Sequence, residues 1–301
     1  MAELKHIPLA LLVALSLLLA AAASGGAQED LSGGATREDI TGGAADEDER
    51  PSNPPVNRSK SQPKQSKKSG TKTPARPDVS EQVDDALQAG NLARDAKNYA
   101  EAESKYRQAA KLDPKEARAY EGLGNIYFDQ KKFAEAVENY KRAVALNSSD
   151  ARLHLALGKA YGRNRQLNEA MESLQQAAKL KPDLAEAYFG MGRIYTLQGQ
   201  LVKAAESYQT AIRYRRDFVA AYNNLGLTYR RLRRMREALE PLKQAITYDR
   251  NFAPARFNLA LVYHALGDRE AAQEQLRILR TLDPQRADRA ALMMTTRRGR
   301  G

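Results

Sequence analysis

Residues 117–150 read ARAYEGLGNIYFDQKKFAEAVENYKRAVALNSSD, and residues 151–184 read ARLHLALGKAYGRNRQLNEAMESLQQAAKLKPDL. Small, aromatic and charged residues fall at the same places in both stretches. The same register extends over residues 83–286 as six blocks of 34 residues without an insertion. A repeat of this length predicts a row of similar supersecondary units, each packed on its neighbours, rather than one closed core.

Four positions within the block carry the register. Position 20 is Ala in all six blocks, while Gly at position 8, Tyr at position 11 and Ala at position 27 each recur in five. Each block also holds two apolar stretches with the i, i+3, i+4, i+7 spacing of a helix face. Gly and Ala let two helices approach closely, and Tyr and Leu fill the space beside them. The sequence therefore predicts two antiparallel helices in each block and an all-α fold.

The recurring residues resemble those of the tetratricopeptide repeat, a helix–turn–helix unit of 34 residues. The resemblance covers residues 83–286 and implies a right-handed α-solenoid. We expect the repeat region to span residues 78–286, and residues 287–301 to form a short capping helix and a basic tail. In the last block Arg256 and Arg269 replace apolar residues, which would suit the wetter outer face of a terminal repeat.

The starts of the helices are predicted from side chains that can accept hydrogen bonds from free backbone N–H groups. Asp78 followed by Glu81 has the spacing of a capping box for the first helix. At four junctions position 33 holds a residue type that caps helices, namely Ser149, Asp183, Asp217 and Asn251. His154 occupies an aromatic core position, so we expect a packed histidine there rather than a ligand.

The first 27 residues have the pattern of a secretory signal peptide. Residues 7–23 are apolar apart from Ser16, Lys5 precedes them, and small residues follow. An uncleaved membrane anchor is the alternative, although this run of 17 residues is short beside the ~20 that cross a bilayer. We therefore expect an exported chain that is periplasmic or secreted.

Residues 28–77 are rich in Gly, Ser, Pro and charged residues and contain few large apolar ones. This composition predicts a disordered linker, because it cannot bury enough apolar surface to offset chain entropy. Residues 28–50 carry a net charge of −6 and residues 51–77 a net charge of +7. Two interpretations stay open, a solvated spacer and an electrostatic tether to an anionic envelope surface.

The resemblance also implies a concave groove, lined by block positions 2, 5, 6, 9, 12 and 13 of the first helices. The candidate groove residues are Asn91, Asn125, Arg118, Arg152, Lys159, Arg163, Phe189, Arg193, Asn223, Asn224, Arg230, Phe257, Asn258 and His264. Asn can hold a peptide backbone through paired contacts, Arg can grip carboxylates, and Phe supplies apolar pockets. Asn224 and Asn258, at position 6 of adjacent repeats, resemble the start of an asparagine ladder.

The composition excludes several kinds of chemistry. The chain has no Cys, which removes disulfides, thiolate metal sites and cysteine nucleophiles. Its three His residues are too few and too scattered for a His-based metal centre. Neither a Ser/His/Asp set nor a glycine-rich phosphate loop is visible. We expect a non-enzymatic chain that has no cofactor and no metal.

The distribution of charge indicates the kind of partner. The formal net charge is +11, and residues 151–301 carry +13. The leading prediction is an exported scaffold that binds an extended, acidic peptide segment in the groove. The alternative is a basic adaptor for an anionic cell-surface polymer or nucleic acid, although the export signal and the lack of a base-reading module argue against nucleic acid. The arginine-rich stretch 230–236 is either a solvated turn or a functional patch, and both interpretations stay open.

Overall fold

The computed structural model describes residues 78–296, so the predicted signal peptide, the linker and the end of the basic tail lie outside it. The described part contains thirteen α-helices and no strand. The helices are α1 (Val79–Asp95), α2 (Tyr99–Leu112), α3 (Ala117–Asp129), α4 (Phe133–Leu146), α5 (Ala151–Arg163), α6 (Leu167–Leu180), α7 (Ala185–Leu197), α8 (Leu201–Tyr214), α9 (Val219–Arg231), α10 (Met235–Tyr248), α11 (Ala253–Leu266), α12 (Arg269–Leu282) and α13 (Pro284–Thr296).

Each 34-residue block forms one antiparallel helix pair, as the sequence predicts. Every odd-numbered helix from α1 to α11 packs against the even-numbered helix that follows it, and each pair packs on the next. The Ala residues at position 20 are essentially inaccessible, with exposures of 0–2%. A solenoid built in this way has a continuous core that runs between the two helix layers.

The glycines at position 8 allow the close approach of the two helices in a pair. A Cβ atom on Gly124 would lie 2.6 Å from Cε1 of Tyr140, and one on Gly192 would lie 2.6 Å from Cε1 of Tyr208. Real Cβ contacts are not that short, so the ring at position 24 occupies the space that a side chain would need. The steric role predicted for these glycines is confirmed.

The turn within each pair contains one residue in the left-handed region, always at position 15. Gly fills this position in two turns, as Gly199 (φ 74°) and Gly267 (φ 84°). Lysine or arginine fills it in the other four, as Lys97 (φ 58°), Lys131 (φ 61°), Arg165 (φ 67°) and Arg233 (φ 63°). A residue with a Cβ is strained in this conformation. The four turns with lysine or arginine therefore carry a backbone strain that the two turns with glycine avoid.

A recurring hydrogen bond joins the second, third, fourth and sixth repeats to the loop before them. In these four repeats the side chain at position 4 meets the backbone carbonyl six residues earlier, although the residue type differs. The pairs are Tyr120 with Pro114 (3.4 Å), His154 with Ser148 (2.9 Å), Tyr188 with Pro182 (3.0 Å) and Arg256 with Arg250 (2.6 Å). His154 is half-buried and is held by this bond through Nε2, which accounts for a histidine at an aromatic position.

The expectation of a wet outer face at Arg256 is wrong. This side chain is only 8% exposed, and it also donates from Nη1 to Oε1 of Gln275 at 3.1 Å. The sixth repeat is also not the end of the stack, because α13 packs against α11 and α12 and extends the core beyond it. Its Ala287, Ala290 and Met294 share an apolar cluster with Phe257. Arg269, at the start of α12, is exposed.

The predicted helix caps are misplaced. The residue that precedes each first helix is at position 34, not 33, and there Glu116 and Asp150 accept hydrogen bonds from the backbone N–H groups of Arg118 and Arg152. Position 33 belongs to the turn between the repeats. The Asp78 carboxylate does not cap α1, because it accepts a hydrogen bond from the Ser80 hydroxyl at 3.1 Å instead.

Candidate peptide-binding groove

The first helices of the repeats place the candidate residues on one face. In an α-helix, positions 2, 5, 6, 9, 12 and 13 lie along one stripe. In repeats three to five this stripe holds six cations and one carboxylate, Glu186. In repeats one and two it holds two cations and four carboxylates. The candidate face therefore changes sign along the solenoid, from acidic to basic.

Asn91 and Asn125 are held by tyrosines from the second helix of the same repeat. The Tyr106 hydroxyl donates to Oδ1 of Asn91 at 2.6 Å, and the Tyr140 hydroxyl donates to Oδ1 of Asn125 at 2.7 Å. Burial raises the pKa of Tyr106 to about 12, so its hydroxyl stays protonated and remains a donor. The hydroxyl occupies the amide oxygen in each case, and the amide nitrogen takes no part in this bond.

Arg118 and Arg152 are exposed at the starts of α3 and α5, and each is committed to a carboxylate. Arg118 meets Glu116 at 2.7 Å and also reaches Asp84 of the preceding repeat at 2.9 Å. Arg152 meets Asp150 at 3.0 Å. The hydrogen bond from Arg118 lowers the pKa of Glu116. A cavity of about 230 Å³ lies between the start of α1 and the start of α3, and Asp84 and Arg118 form part of its lining.

Three asparagines form a connected amide chain in the fifth and sixth repeats. Asn258 donates from Nδ2 to Oδ1 of Asn223 at 3.0 Å, and Asn223 donates from Nδ2 to Oδ1 of Asn224 at 3.2 Å. All three side chains are at most 5% exposed. The sequence brings Asn224 and Asn258 together by repeat register, and the structure links them through Asn223.

Phe189 lies in the core cluster of the fourth and fifth repeats. Its ring centroid is 4.7 Å from that of Phe218 and 5.7 Å from that of Tyr208. Arg215 packs over the ring of Phe218, with its guanidinium carbon 3.4 Å from the ring centroid. The same guanidinium donates a hydrogen bond to Glu186 at 2.8 Å. Arg215 is not among the predicted groove residues, because it stands in the loop between repeats rather than on a first helix. Its signal would have been the arginine pair at positions 31 and 32.

The remaining candidates have different degrees of burial. Half-buried side chains are Lys159, Arg163, Arg193, Arg230 and His264. The guanidinium carbon of Arg163 lies 5.5 Å from the centroid of the Phe133 ring. Phe257 is only 2% exposed and belongs to the cluster that α13 completes. That all fourteen residues line a ligand groove remains a prediction.

The helices carry neither a metal cluster nor a membrane span within residues 78–296. No group of three or more His, Asp or Glu side chains in this range is placed to hold a metal ion. None of its helices combines the length and the apolar character needed to cross a bilayer.

Comparison with protein families identifies the architecture. The profile of the TPR repeat matches residues 90–131, 124–164, 166–196 and 192–232, and tetratricopeptide-repeat profiles match residues 219–248 and 253–285. The chain is a tetratricopeptide-repeat protein. The resemblance inferred from the 34-residue register is thereby confirmed, and this TPR chain is a protein–protein interaction scaffold.

Solved TPR structures share the fold. A MamA protein is 28% identical, with a TM-score of 0.51 over 58% of this chain and 95% of that one. PilF of Pseudomonas aeruginosa is 20% identical, with a TM-score of 0.61 over 68% of this chain and 94% of that one. PilW, a widely conserved type IV pilus biogenesis factor, is 21% identical, with a TM-score of 0.62 over 67% of this chain and 94% of that one. No curated protein sequence matches the chain.

Proposed function

We propose that this TPR protein is an exported, non-enzymatic scaffold that binds an extended, acidic peptide segment in its concave groove. The observation that carries the proposal is the sign change along the first-helix stripe, with six cations against one carboxylate in repeats three to five. Glu186, the single carboxylate, is itself paired with Arg215 at 2.8 Å. A peptide with clustered carboxylates is the ligand that complements this surface.

The amide side chains support an extended backbone as the ligand. Asn91 and Asn125 are oriented by tyrosine hydroxyls and repeat at an interval of 34 residues. Each presents an amide nitrogen that can donate to a peptide carbonyl. Because these two side chains precede the basic repeats, the ligand would contact the amides at one end and the cations further along the groove.

Export is part of the proposal and rests on residues 1–27. Their charged start, apolar run and small-residue exit support passage out of the cytoplasm, to the periplasm or the medium. The chain has no Cys, which suits an oxidising compartment because nothing can mispair there. The basic segment 51–77, with a net charge of +7, supports an additional role as a tether to an anionic envelope surface.

A second candidate function is binding to an anionic cell-surface polymer. It is motivated by the net charge of +13 over residues 151–301. The two candidates differ in their dependence on salt, because a polyanion releases many counterions when it binds and a short peptide releases few. A steep loss of affinity with salt supports the polymer, and a shallow one supports the peptide.

The test compares a groove variant with an outer-surface variant that carries as many charge reversals. The groove variant combines Arg193→Glu, Arg230→Glu and Asn224→Ala. The control combines Lys111→Glu with Lys243→Glu, two exposed sites on second helices. Partners are captured by crosslinking in intact cells, and circular dichroism checks that both variants fold.

Under the proposal, the groove variant loses partners that the control retains, and an acidic peptide from such a partner competes for the wild-type chain. Retention of every partner by a folded groove variant would exclude the groove as the binding site.

A further inference from the structure

Four of the six turns place a basic residue in a strained conformation. Lys97, Lys131, Arg165 and Arg233 all have φ near +60° at position 15 of their repeats. The left-handed region disfavours a residue with a Cβ relative to glycine. Gly199 and Gly267 show that the same turn forms with glycine. The basic residues are therefore retained at positions where glycine is the better choice for the fold.

The helix dipole offsets part of this strain, but it does not explain the choice of residue. A cation near the C-terminus of a helix is stabilised by the partial negative charge of that helix end. A cation in the last helical turn obtains the same stabilisation without a positive φ. Asn also tolerates the left-handed region better than lysine or arginine, yet it occupies none of the six positions. A function that needs exposed positive charge at the turn accounts for the pattern.

The turns form a row along one edge of the solenoid. Because every helix pair has the same orientation, all turns within pairs lie at the same edge. Neighbouring helices pack roughly 8–10 Å apart, so successive turns follow one another at about that spacing or somewhat more. Positions 15 and 16 of the first five repeats contain no carboxylate. Their cations, all of them exposed, are Lys97, Lys131, Lys132, Arg165, Arg233 and Arg234. We call these six residues the turn row.

The four strained cations are not neutralised within the solenoid. None of Lys97, Lys131, Arg165 and Arg233 forms an ion pair with another residue of the described range 78–296. The glutamates at position 19 of the first, third and fifth repeats are engaged by other side chains, and in the fifth repeat the partner of Glu237 is Arg234, itself a member of the turn row. Asn98 donates to Glu101 at 2.7 Å, and Gln166 donates to Glu169 at 3.3 Å.

We propose that the turn row is a docking surface for an anionic lipid membrane, on which the solenoid lies edge-on. Single charges on successive protruding turns can meet an extended, charged plane at the same time. A linear polyanion or single-stranded nucleic acid is instead bound in a groove with aromatic stacking platforms, and positions 15 and 16 contain no aromatic residue. The acidic Asp268 ends the row in the sixth repeat.

This surface is separate from the concave groove and needs no residue of it. A basic residue close to an anionic bilayer contributes roughly fivefold to the affinity, so several turns acting together would produce measurable binding. The attraction decays within a Debye length and is weakened by salt. Docking through the turns would keep the groove accessible from the side.

The experiment uses the full chain and four glycine substitutions, Lys97→Gly, Lys131→Gly, Arg165→Gly and Arg233→Gly. Glycine removes the charge and relieves the backbone strain at the same time, so the variant is expected to be at least as stable as the wild type. The charge-matched control carries Lys111→Gln, Lys179→Gln, Lys181→Gln and Arg216→Gln, all exposed at the opposite edge. A second control exchanges lysine and arginine at the four turn positions and keeps their charge.

Binding is measured by sedimentation with phosphatidylcholine vesicles that either contain about 30 mol per cent phosphatidylglycerol or lack it. The apolar N-terminal residues 7–23 contribute to both kinds of vesicle, so the gain in affinity on adding the anionic lipid is the quantity compared. The basic segment 51–77 adds to this gain equally in the wild type and in every variant, so each variant is compared with the wild type. We expect the glycine variant to lose about tenfold or more of this gain. Both controls should retain it.

Three results would overturn the proposal. The glycine variant could bind anionic vesicles as well as the wild type does. The control at the opposite edge could lose as much affinity as the glycine variant, which would make total charge the cause. The wild type could show no preference for anionic vesicles while binding a soluble polyanion such as polyglutamate through the turn row, which would identify a polymer as the ligand.

Discussion

Nη2 of Arg256 donates to the backbone carbonyl of Arg250 at 2.6 Å, in the place where Tyr188 donates its hydroxyl to Pro182 at 3.0 Å. Two unlike side chains thus make the same connection between a repeat and the loop before it. The bond spans six residues in each case, because position 4 of a first helix lies above the third-last residue of the preceding block. In the four repeats that make this bond, the position requires a donor of sufficient reach, not an aromatic ring.

Replacing Arg256 tests this requirement. Arg256→Tyr should keep the free energy of unfolding at or above the wild-type value, because tyrosine supplies the donor without a buried charge. Burial already lowers the pKa of Arg256, which indicates that the charged form is disfavoured there. Arg256→Leu should lower the free energy of unfolding by about 1–3 kcal/mol, since the carbonyl loses its donor. Urea denaturation measures both, and equal stability of the two variants would contradict the requirement.

Gly192 tests the close approach of the helices. Gly192→Ala should destabilise the fold by about 1–3 kcal/mol, because the new Cβ would lie 2.6 Å from the ring of the buried Tyr208. Gly162→Ala is the matched control in the preceding first helix, since its Cβ would lie 3.1 Å from the end of the Ile194 side chain and 3.9 Å from Cβ of Ala170. We expect the control to lie within about 1 kcal/mol of the wild type. Calorimetric melting distinguishes them, and a stable Gly192→Ala would show that the ring can move.

Lys131 tests the cost of the left-handed turns. Lys131→Gly should raise the free energy of unfolding by about 0.4–1 kcal/mol, because glycine adopts φ 61° without strain. The control, Lys141→Gly in the middle of α4, makes the same change in a helical backbone and should lower stability by about 1 kcal/mol. Opposite signs in denaturant titrations are expected. Destabilisation by both changes would show that the lysine at position 15 makes a stabilising contact.

Glu121 gives the solenoid a pH dependence of defined sign. Burial raises the pKa of this half-buried carboxyl, and the charge of Arg152 opposes the rise only in part. The folded state therefore takes up a proton more readily than the unfolded state, so this site penalises the fold above its folded pKa and the penalty disappears as the pH falls through that value.

Glu121→Gln should therefore increase the free energy of unfolding at pH ~7 and lose this advantage toward pH ~4, where an ordinary glutamate is half protonated. The exposed Glu172→Gln serves as the control and should change little at either pH. Chemical denaturation at the two pH values provides the comparison. An advantage that grows toward acid would have the wrong sign for a raised pKa.

The helix pairs could be predicted because packing repeats with the sequence. Ala at position 20 and Gly at position 8 recur where two helices touch, so the register alone identifies the contact. The caps could not be placed to the residue, because Asp183 and Asp217 are good capping types that stand one residue too early. Moving the predicted cap from position 33 to position 34 changes neither the composition nor the periodicity of the repeat, so the sequence pattern cannot distinguish the two positions.

The candidate groove was less predictable than the fold. The register relates Asn224 to Asn258, but whether two amides touch depends on rotamers, and the structure routes the contact through Asn223. Arg215 illustrates a second limit, since its contact with Phe218 depends on the path of a loop that has no periodic signal. The position of a residue in the repeat predicts the helix face on which its side chain lies. Its hydrogen bonds and ring contacts can be identified only when the path of the backbone is known.

Within residues 78–296, the helices contact almost only their neighbours in the stack. Mechanically, such a molecule behaves as a spring whose stiffness is set by the junctions between pairs, four of which are bridged by a side chain at position 4. A pull on the two ends is shared among these junctions as small rotations, whereas a globular core would resist until it breaks. Any load that a bound partner transmits through the scaffold would therefore be met first by elastic extension.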